Sequence, residues 1–352
     1  MISFLKNKTT HKRKTKIICT IGPACSSEKM IRRLVKEGMD FARFNFSHGS
    51  IEEFAQWTKI IRRAAKSEKR KVEIIQDLQG PRVRIGKLKR EGAQIKIGEK
   101  VTLIFNGVAT HRHNEVPIQS DIELDVKKGD QILMDNGLIE LEVKKVDFPN
   151  IVCTALTSGM LFSRKGLNFP NSDAKEPLTG KDLRDLEAGL KMGVDWIALS
   201  FVEDRDDIEK LREIVGDRAK ILAKIERPQA IENFSHILEV VDAVMIARGD
   251  LGIEIPFWKL PSLQKRAIKR AKSAGKPSIV ATDMMASMVV AQRPTRAEIL
   301  DVANAVIDGA SAVMLSNETA VGKHPVETLI CMRRIVEEAE NFKASHELES
   351  LL

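Results

Sequence analysis

Ionic residues close the apolar runs in the second half of this chain. Ile221-Leu222-Ala223-Lys224-Ile225-Glu226 and Ala243-Val244-Met245-Ile246-Ala247-Arg248-Gly249-Asp250 are compact apolar stretches that end abruptly in charge. Such runs read as buried parallel strands. Charge at the end of a buried strand is costly unless it is paired or holds a ligand. Glu226 and Asp250 are hard oxygen donors, suited to share a divalent cation and leave positions open for substrate oxygens. Lys224 and Arg43 suit the neutralisation of charge on a group in transfer. The plainer alternative is that the carboxylates only neutralise Lys224 and Arg248.

Other candidates fall at comparable places. Arg43, Asn45, Ser47 and His48 follow a strand-like run at 40–45, and Asp77 follows one at 72–76. Thr282 and Asp283 follow 278–281, and Ser316 and Glu318 follow 312–315. The hydroxyls of Thr282 and Ser316 suit a proton relay, or equally a satisfied place in the core. Gly249-Asp250-Leu251-Gly252 reads as a tight turn into a short helix, whose bare amides would suit a carboxylate or phosphate.

These residues need elements to position them. Strands are predicted at 16–20, 40–45, 72–76, 196–199, 219–223, 243–246, 278–281 and 312–315. Helices are predicted at 27–37, capped by Ser26 or Ser27, and at 51–66, 181–192, 206–214, 228–240, 262–273, 296–307 and 326–340. Eight strand–helix units make an α/β (β/α)8 TIM barrel, in which every strand-end residue above faces one end. A doubly wound open sheet is the weaker reading, since no Gly-x-Gly-x-x-Gly follows the first strand.

Residues 82–172 interrupt the pattern. Short β-branched segments at 94–97, 101–105, 132–133, 138–146 and 151–156 alternate with Gly86, Gly98, Gly129, Asn136-Gly137 and Pro149-Asn150. This predicts a small all-β barrel or sandwich inserted between strand 3 and helix 3, capping the barrel mouth. The expected division is barrel 1–81, lid 82–172, barrel 173–345 and tail 346–352.

Bulk properties agree with a large globular enzyme. The chain has 352 residues, 43% of them apolar, and a formal charge of +8, which suits anionic small molecules. Much of the excess lies in a basic cluster at 6–16, read as a solvated leader. Cys19, Cys25, Cys153 and Cys331 lack zinc-site spacing and read as reduced cytoplasmic thiols. The apolar start at 1–5 is too short for a signal core, and no run is long enough to span a membrane. Neither nucleic acid nor membrane is an expected partner.

Several motifs carry a family resemblance. Thr20-Ile21-Gly22-Pro23, Arg43-Phe44-Asn45-Phe46-Ser47-His48-Gly49, Asp77-Leu78-Gln79-Gly80-Pro81, Ala223-Lys224-Ile225-Glu226 and Ala247-Arg248-Gly249-Asp250-Leu251-Gly252 resemble pyruvate kinase. Gly275-Lys276-Pro277, Arg293-Pro294-Thr295-Arg296-Ala297-Glu298 and Met314-Leu315-Ser316-Asn317-Glu318-Thr319-Ala320 do so too, and the likeness runs from about Lys14 to about Glu340. The resemblance implies glycolytic transfer of a phosphoryl group from phosphoenolpyruvate to ADP, giving pyruvate and ATP in the cytoplasm. It implies Mg²⁺ or Mn²⁺ on Glu226 and Asp250, and Lys224 on the transferring group. Arg43, Gly249, Asp250 and Thr282 would bind substrate, with Arg84 also on phosphate. Asn45, His48, Arg84 and Pro23 would lie toward the nucleotide, and Ser316 with Thr282 on the proton route. It also implies a homodimer through later barrel helices.

The chain departs from the family at identifiable positions. The family's C-terminal domain, with its usual effector site, is expected to be missing, and with it sugar-phosphate activation. Asn45, Ser47, Asp77 and Leu78 stand at the family's monovalent-cation site, with Leu78 in place of a threonine. Arg82 stands where members with glutamate tend to need K⁺ and members with lysine tend not to, so K⁺ is expected to be dispensable here. Asn317, Asp283 and Glu203-Asp204 are further departures, the last where basic residues are common. Two other functions fit the same pattern: a catalytically impaired binding or regulatory protein that kept the fold, and a barrel lyase or aldolase.

Overall fold

The structure, a computed structural model, describes residues 13–89, 92–108, 112–120, 125–172 and 177–349. Most of the expected leader, the end of the expected tail and the residues just after the lid boundary at 172 lie outside these.

The chain opens with β1 (Lys16–Thr20), α1 (Glu28–Glu37), β2 (Phe41–Asn45), α2 (Ile51–Ser67) and β3 (Glu73–Asp77). Local signals set these bounds. Ser27 caps α1 by accepting from the Met30 amide, and Gly38 ends it at φ 118°, a left-handed value that favours glycine. Ser50 and Glu53 form a reciprocal capping box at the start of α2.

The lid strands follow. They are β4 (Val83–Ile85), β5 (Ala93–Ile95), β6 (Lys100–Phe105), β7 (Glu115–Gln119), β8 (Gln131–Met134), β9 (Ile139–Asp147), β10 (Asn150–Ala155), β11 (Gly159–Leu161) and β12 (Gly166–Asn168). The barrel resumes with α3 (Gly180–Met192), β13 (Trp196–Leu199), α4 (Arg205–Val215), β14 (Lys220–Ile225), α5 (Pro228–Glu232), α6 (Phe234–Val240), β15 (Ala243–Ala247) and α7 (Arg248–Glu254). It ends with α8 (Leu260–Ser273), β16 (Ser278–Ala281), α9 (Arg296–Asp308), β17 (Ala312–Leu315), α10 (Asn317–Ala320) and α11 (Pro325–Glu349).

Eight parallel strands close in the order β1-β17-β16-β15-β14-β13-β3-β2. Closure is made where Lys16 registers with Ala312 and Cys19 with Leu315. Every residue of β13, β15, β16 and β17 is buried, which is why these strands read as unbroken apolar runs. Alternate residues serve two cores. Ile17, Phe44, Ile74, Ile197 and Val313 pack outward against helix residues such as Leu34, Ile61 and Leu186. Ile18, Ile75, Trp196, Leu222, Met245 and Met314 fill the barrel interior.

The lid is a second closed barrel, ordered β10-β6-β7-β4-β12-β8-β9, with β5 and β11 paired apart. Burial alternates along β6 and β10, so one face of each strand feeds a core of Leu103, Ile118, Ile132, Leu141 and Ile151. The Asn136-Gly137 turn joins β8 to β9 with both residues left-handed, at φ 59° and 80°. Strands β4, β7, β11 and β12 have no counterpart in the sequence reading; three of them span three residues, and β7 contains a proline.

Two local expectations are corrected. The helix expected at 228–240 is two helices broken at Asn233, whose side-chain amide donates to the Glu203 carbonyl at 3.1 Å. The short helix expected at 249–252 is present but has no turn before it: β15 runs directly into α7, which starts at Arg248.

Candidate active site

Strand ends β1, β2, β3, β13, β14, β15, β16 and β17 form one rim, under the lid. Lys224 is the penultimate residue of β14 and only 5% exposed. Its ammonium lies 3.1 Å from Asp77 Oδ1 and 2.9 Å from Glu226 Oε1, and donates to Ser200 Oγ at 2.7 Å. Burial alone would lower the Lys224 pKa, but Asp77 and Glu226 outweigh it and raise it. The lysine is therefore held fully charged.

Glu226 is fully buried just past β14. Its Oε2 accepts from the Phe201 amide at 2.8 Å, and its Oε1 faces the Lys224 ammonium at 2.9 Å. Burial pushes the Glu226 carboxyl up to about 7, against the pull of Lys224; the charge of Asp250 pushes the same way. Asp250 sits on α7, partly exposed, with Oδ2 3.5 Å from Arg82 Nη2. Two carboxylates on neighbouring elements, one buried and raised in part by the charge of the other, fit a shared divalent cation. No cluster of three or more such ligands occurs among the described residues.

Arg43 leaves β2 toward the same interior. Its Nε donates to Asp77 Oδ2 at 2.6 Å and its Nη1 to Thr20 Oγ1 at 3.0 Å. Asn45 registers with Asp77 across the β2–β3 pair, and its Oδ1 accepts from the Ser47 amide at 3.1 Å. Burial alone would raise Asp77, but Arg43 and Lys224 hold it below the usual range. Leu78 turns its side chain into the core, and its carbonyl accepts from Ser200 Oγ at 2.7 Å. Both Asp77 oxygens and the Leu78 carbonyl thus already have protein donors.

Thr282 adopts φ 70°, unusual for a β-branched residue. Its hydroxyl accepts from the Gly249 amide at 2.7 Å and donates to the Ala281 carbonyl at 2.5 Å. The Gly249 amide is therefore not bare, as the sequence reading held. Arg248 does not pair with Glu226 or Asp250: both oxygens of Asp301 accept from it at 2.7 Å, and so does the Thr282 carbonyl at 2.6 Å. That grip holds the strained Thr282 in place. Ser316 Oγ is buried without a hydrogen bond, while its amide donates to Glu318 Oε2 at 2.7 Å.

The lid adds arginines. Arg82 lies over the Phe201 ring, 5.4 Å from its centroid, and Arg84 projects from β4. A cleft of about 250 Å³ is lined by both arginines, Phe201 and Asp250. His48 is exposed beyond β2, and desolvation with the fields of Arg84, Arg82 and Arg43 holds it below its usual pKa. Pro23 is exposed beyond β1 in a turn closed by Cys25 N to Gly22 O, and does not line that cleft. All four cysteines are buried and free; burial lifts Cys25 to about 11.

Comparison with known proteins decides the family. The family model described as pyruvate kinase, barrel domain, matches residues 12–329. The chain belongs to the pyruvate kinase family. It is 42% identical to the pyruvate kinase of Thermococcus litoralis, over 94% of this chain and 71% of that protein. It is 44% identical to that of Corynebacterium glutamicum, over 93% and 70%. A crystal structure of a pyruvate kinase from Cryptosporidium parvum superposes with a TM-score of 0.87 at 37% identity, covering 94% of this chain and 70% of that one. The chain is accordingly a phosphotransferase of the pyruvate kinase type.

Some residues of this pyruvate kinase site were not singled out from sequence. Ser200 bridges Lys224 and Leu78, Asp301 fixes Arg248, and Arg227 holds the lid exit. Ser200 directly follows β13, in the same position past a strand as the recognised residues, which was its one available signal. Asp301 lies inside α9, where nothing local marks it. Glu203-Asp204, read as a departure on the nucleotide side, have structural partners. Asp204 caps α4, and Glu203 Oε1 lies 3.4 Å from Arg227.

Proposed function

We propose that the barrel mouth performs the family reaction, transfer of the phosphoryl group of phosphoenolpyruvate to ADP to give pyruvate and ATP. The observation that carries this reading is Lys224: a buried, fully charged ammonium held by Asp77, Glu226 and Ser200 at the mouth of the barrel. Phosphoryl transfer needs little covalent chemistry from the protein, only positioning and neutralisation of charge. Lys224 and Arg43 supply fixed positive charge inside the rim, and Arg82 and Arg84 supply it from the lid. Glu226 and Asp250 would hold Mg²⁺ or Mn²⁺, which neutralises phosphate charge when bound. Thr282 and Gly249 shape the floor on which the carboxylate and enolate end would rest.

Loss of the phosphoryl group leaves enolpyruvate, which must gain a proton at carbon. The Thr282 hydroxyl already spends its proton on the Ala281 carbonyl, whereas Ser316 Oγ is uncommitted. Ser316 is therefore the better-placed relay. Asn45, His48, Arg84 and Pro23 are assigned to the nucleotide.

Potassium is dispensable in this reading. Asp77 and Leu78 are already engaged, and Arg82 places a permanent positive charge near Asp250. A homodimer through the later barrel helices is supported by apolar side chains left exposed on and near α9, namely Ile299, Leu300 and Val290. Cytoplasmic location is part of the same proposal; among the described residues, no helix is long and apolar enough to cross a membrane.

The deciding experiment is a lactate-dehydrogenase-coupled assay with phosphoenolpyruvate, ADP and Mg²⁺. Steady pyruvate formation dependent on ADP is expected. Binding of phosphoenolpyruvate without turnover would instead indicate an impaired binding protein, and turnover without ADP a lyase.

A further inference from the structure

Arg227 directly follows Glu226 and is buried, at 6% exposure. Its Nη2 donates to the carbonyls of Phe169 at 3.2 Å and Ser172 at 2.7 Å, where the chain leaves the lid. On its other side, Nε lies 3.5 Å from Glu254 Oε2 and 3.4 Å from Glu203 Oε1. Glu254 is the last residue of α7, one turn beyond Asp250, and its Oε1 accepts from the side-chain amide of Asn168 in β12 at 3.0 Å. The incoming crossing is tied to the same helix, through Arg82 and Asp250. Thus α7 carries one carboxylate for each of the two chain crossings between barrel and lid.

The joint has slack. Arg227 Nε and Glu254 Oε2 are both buried, and neither has a hydrogen bond. Buried polar groups left in that state are rare and call for a reason. A charge-assisted bond between them would have a length of about 2.7–2.9 Å, well inside the observed separation.

We propose that Arg227 and Glu254 form a latch that sets the lid over the barrel mouth, tightening as the lid closes, and that both are positioning residues for the phosphoryl transfer proposed above, on which this inference rests. Neither touches reacting atoms in this assignment. Arg227 acts through the backbone of Glu226 and through the lid exit, and Glu254 acts through α7 on Asp250. The latch couples lid position to both carboxylates assigned to the metal.

The test reads lid position directly, without turnover. Spin labels on cysteines introduced at Lys128 of the lid and Lys269 of α8, both exposed, report the lid–barrel distance by double electron–electron resonance in the full chain. Arg227→Met, Glu254→Gln and Asn168→Ala are each expected to broaden or shift that distribution. They should lower kcat/KM by at least about tenfold, the order expected for loss of a charged hydrogen bond, with KM for nucleotide carrying most of the change. Arg227→Lys should restore the distribution only in part, because one ammonium cannot reach both carbonyls and Glu254. Unchanged distributions in folded Arg227→Met and Asn168→Ala would overturn the latch, whatever happens to activity. Should Arg227→Met fail to fold, Asn168→Ala decides alone, since it cuts only the lid's bond to Glu254. Absence of turnover in the unsubstituted chain would refute the phosphoryl-transfer reading and leave the distance result standing.

Discussion

Lys224 reaches Asp77 at 3.1 Å although their strands are not neighbours. Strand β13 runs between β14 and β3, and Ser200 at its end fills the gap, accepting from Lys224 and donating to the Leu78 carbonyl. Three consecutive strands of the sheet are thereby bound into one charged network around the place assigned to the transferring phosphoryl group.

Replacing Lys224 with methionine should cut kcat by on the order of a thousandfold, with a smaller change in KM, because the charge acts most strongly in the transition state. The same change leaves Asp77 and Glu226 without their shared cation, so a loss of roughly 3–5 kcal/mol of stability is also expected. Steady-state kinetics and chemical denaturation check the two effects separately. A rise in KM with kcat unaffected would make Lys224 a binding residue only.

Asp250→Ala should weaken Mn²⁺ binding, followed by electron paramagnetic resonance, by at least about tenfold and abolish metal-dependent activity. The fold should persist, since Asp250 is partly exposed and its one ion pair is the long contact to Arg82. Unaltered Mn²⁺ affinity would remove Asp250 from the metal site.

Ser316→Ala should slow exchange of the pyruvate methyl protons with D₂O, measured by NMR, by about tenfold to a hundredfold, the usual range for a general acid–base contribution. Thr282→Ser, which keeps the hydroxyl, should slow it less. Full exchange in Ser316→Ala would move the proton route elsewhere.

Activity should be retained in buffer containing a tetraalkylammonium counterion in place of sodium and potassium. Arg82→Glu should create a dependence on K⁺, by exchanging a permanent positive charge near Asp250 for a negative one. Strong K⁺ stimulation of the unsubstituted protein would overturn the assignment.

Glu298 offers a pH prediction away from the mouth. Burial alone would raise its pKa, but bonds from the Ser287 and Thr295 hydroxyls and amides hold it below the usual carboxylate range. A depressed folded pKa gives stability that is present above the unfolded value of about 4.3 and is lost as pH falls through the folded value. Urea denaturation should show Glu298→Gln destabilising at pH 7 and much less so in acid. Thr295→Ala, which removes the cap of α9, should cost about 1 kcal/mol at neutral pH.

Local patterns along the chain were enough to place the barrel, the lid within it and the rim on which the ionic residues stand. Fully buried parallel strands write themselves as unbroken apolar runs, so 16–20, 278–281 and 312–315 were legible to the residue, and a capping serine marked the start of α1. Family motifs then named the chemistry. How the charges divide follows from the folded arrangement instead. Arg248 looks in sequence like a partner for Asp250, yet it pairs with Asp301, which lies 53 residues further along the chain. Thr282 and Ser316 look alike as strand-end hydroxyls, yet one is engaged and the other is not. Arg227 and Glu254 meet Asn168 and the lid exit only because β14, α7 and β12 converge at one corner. Apolar periodicity is a local property of one element, whereas ionic pairing is settled by which elements come together, and no single stretch of sequence carries that distance.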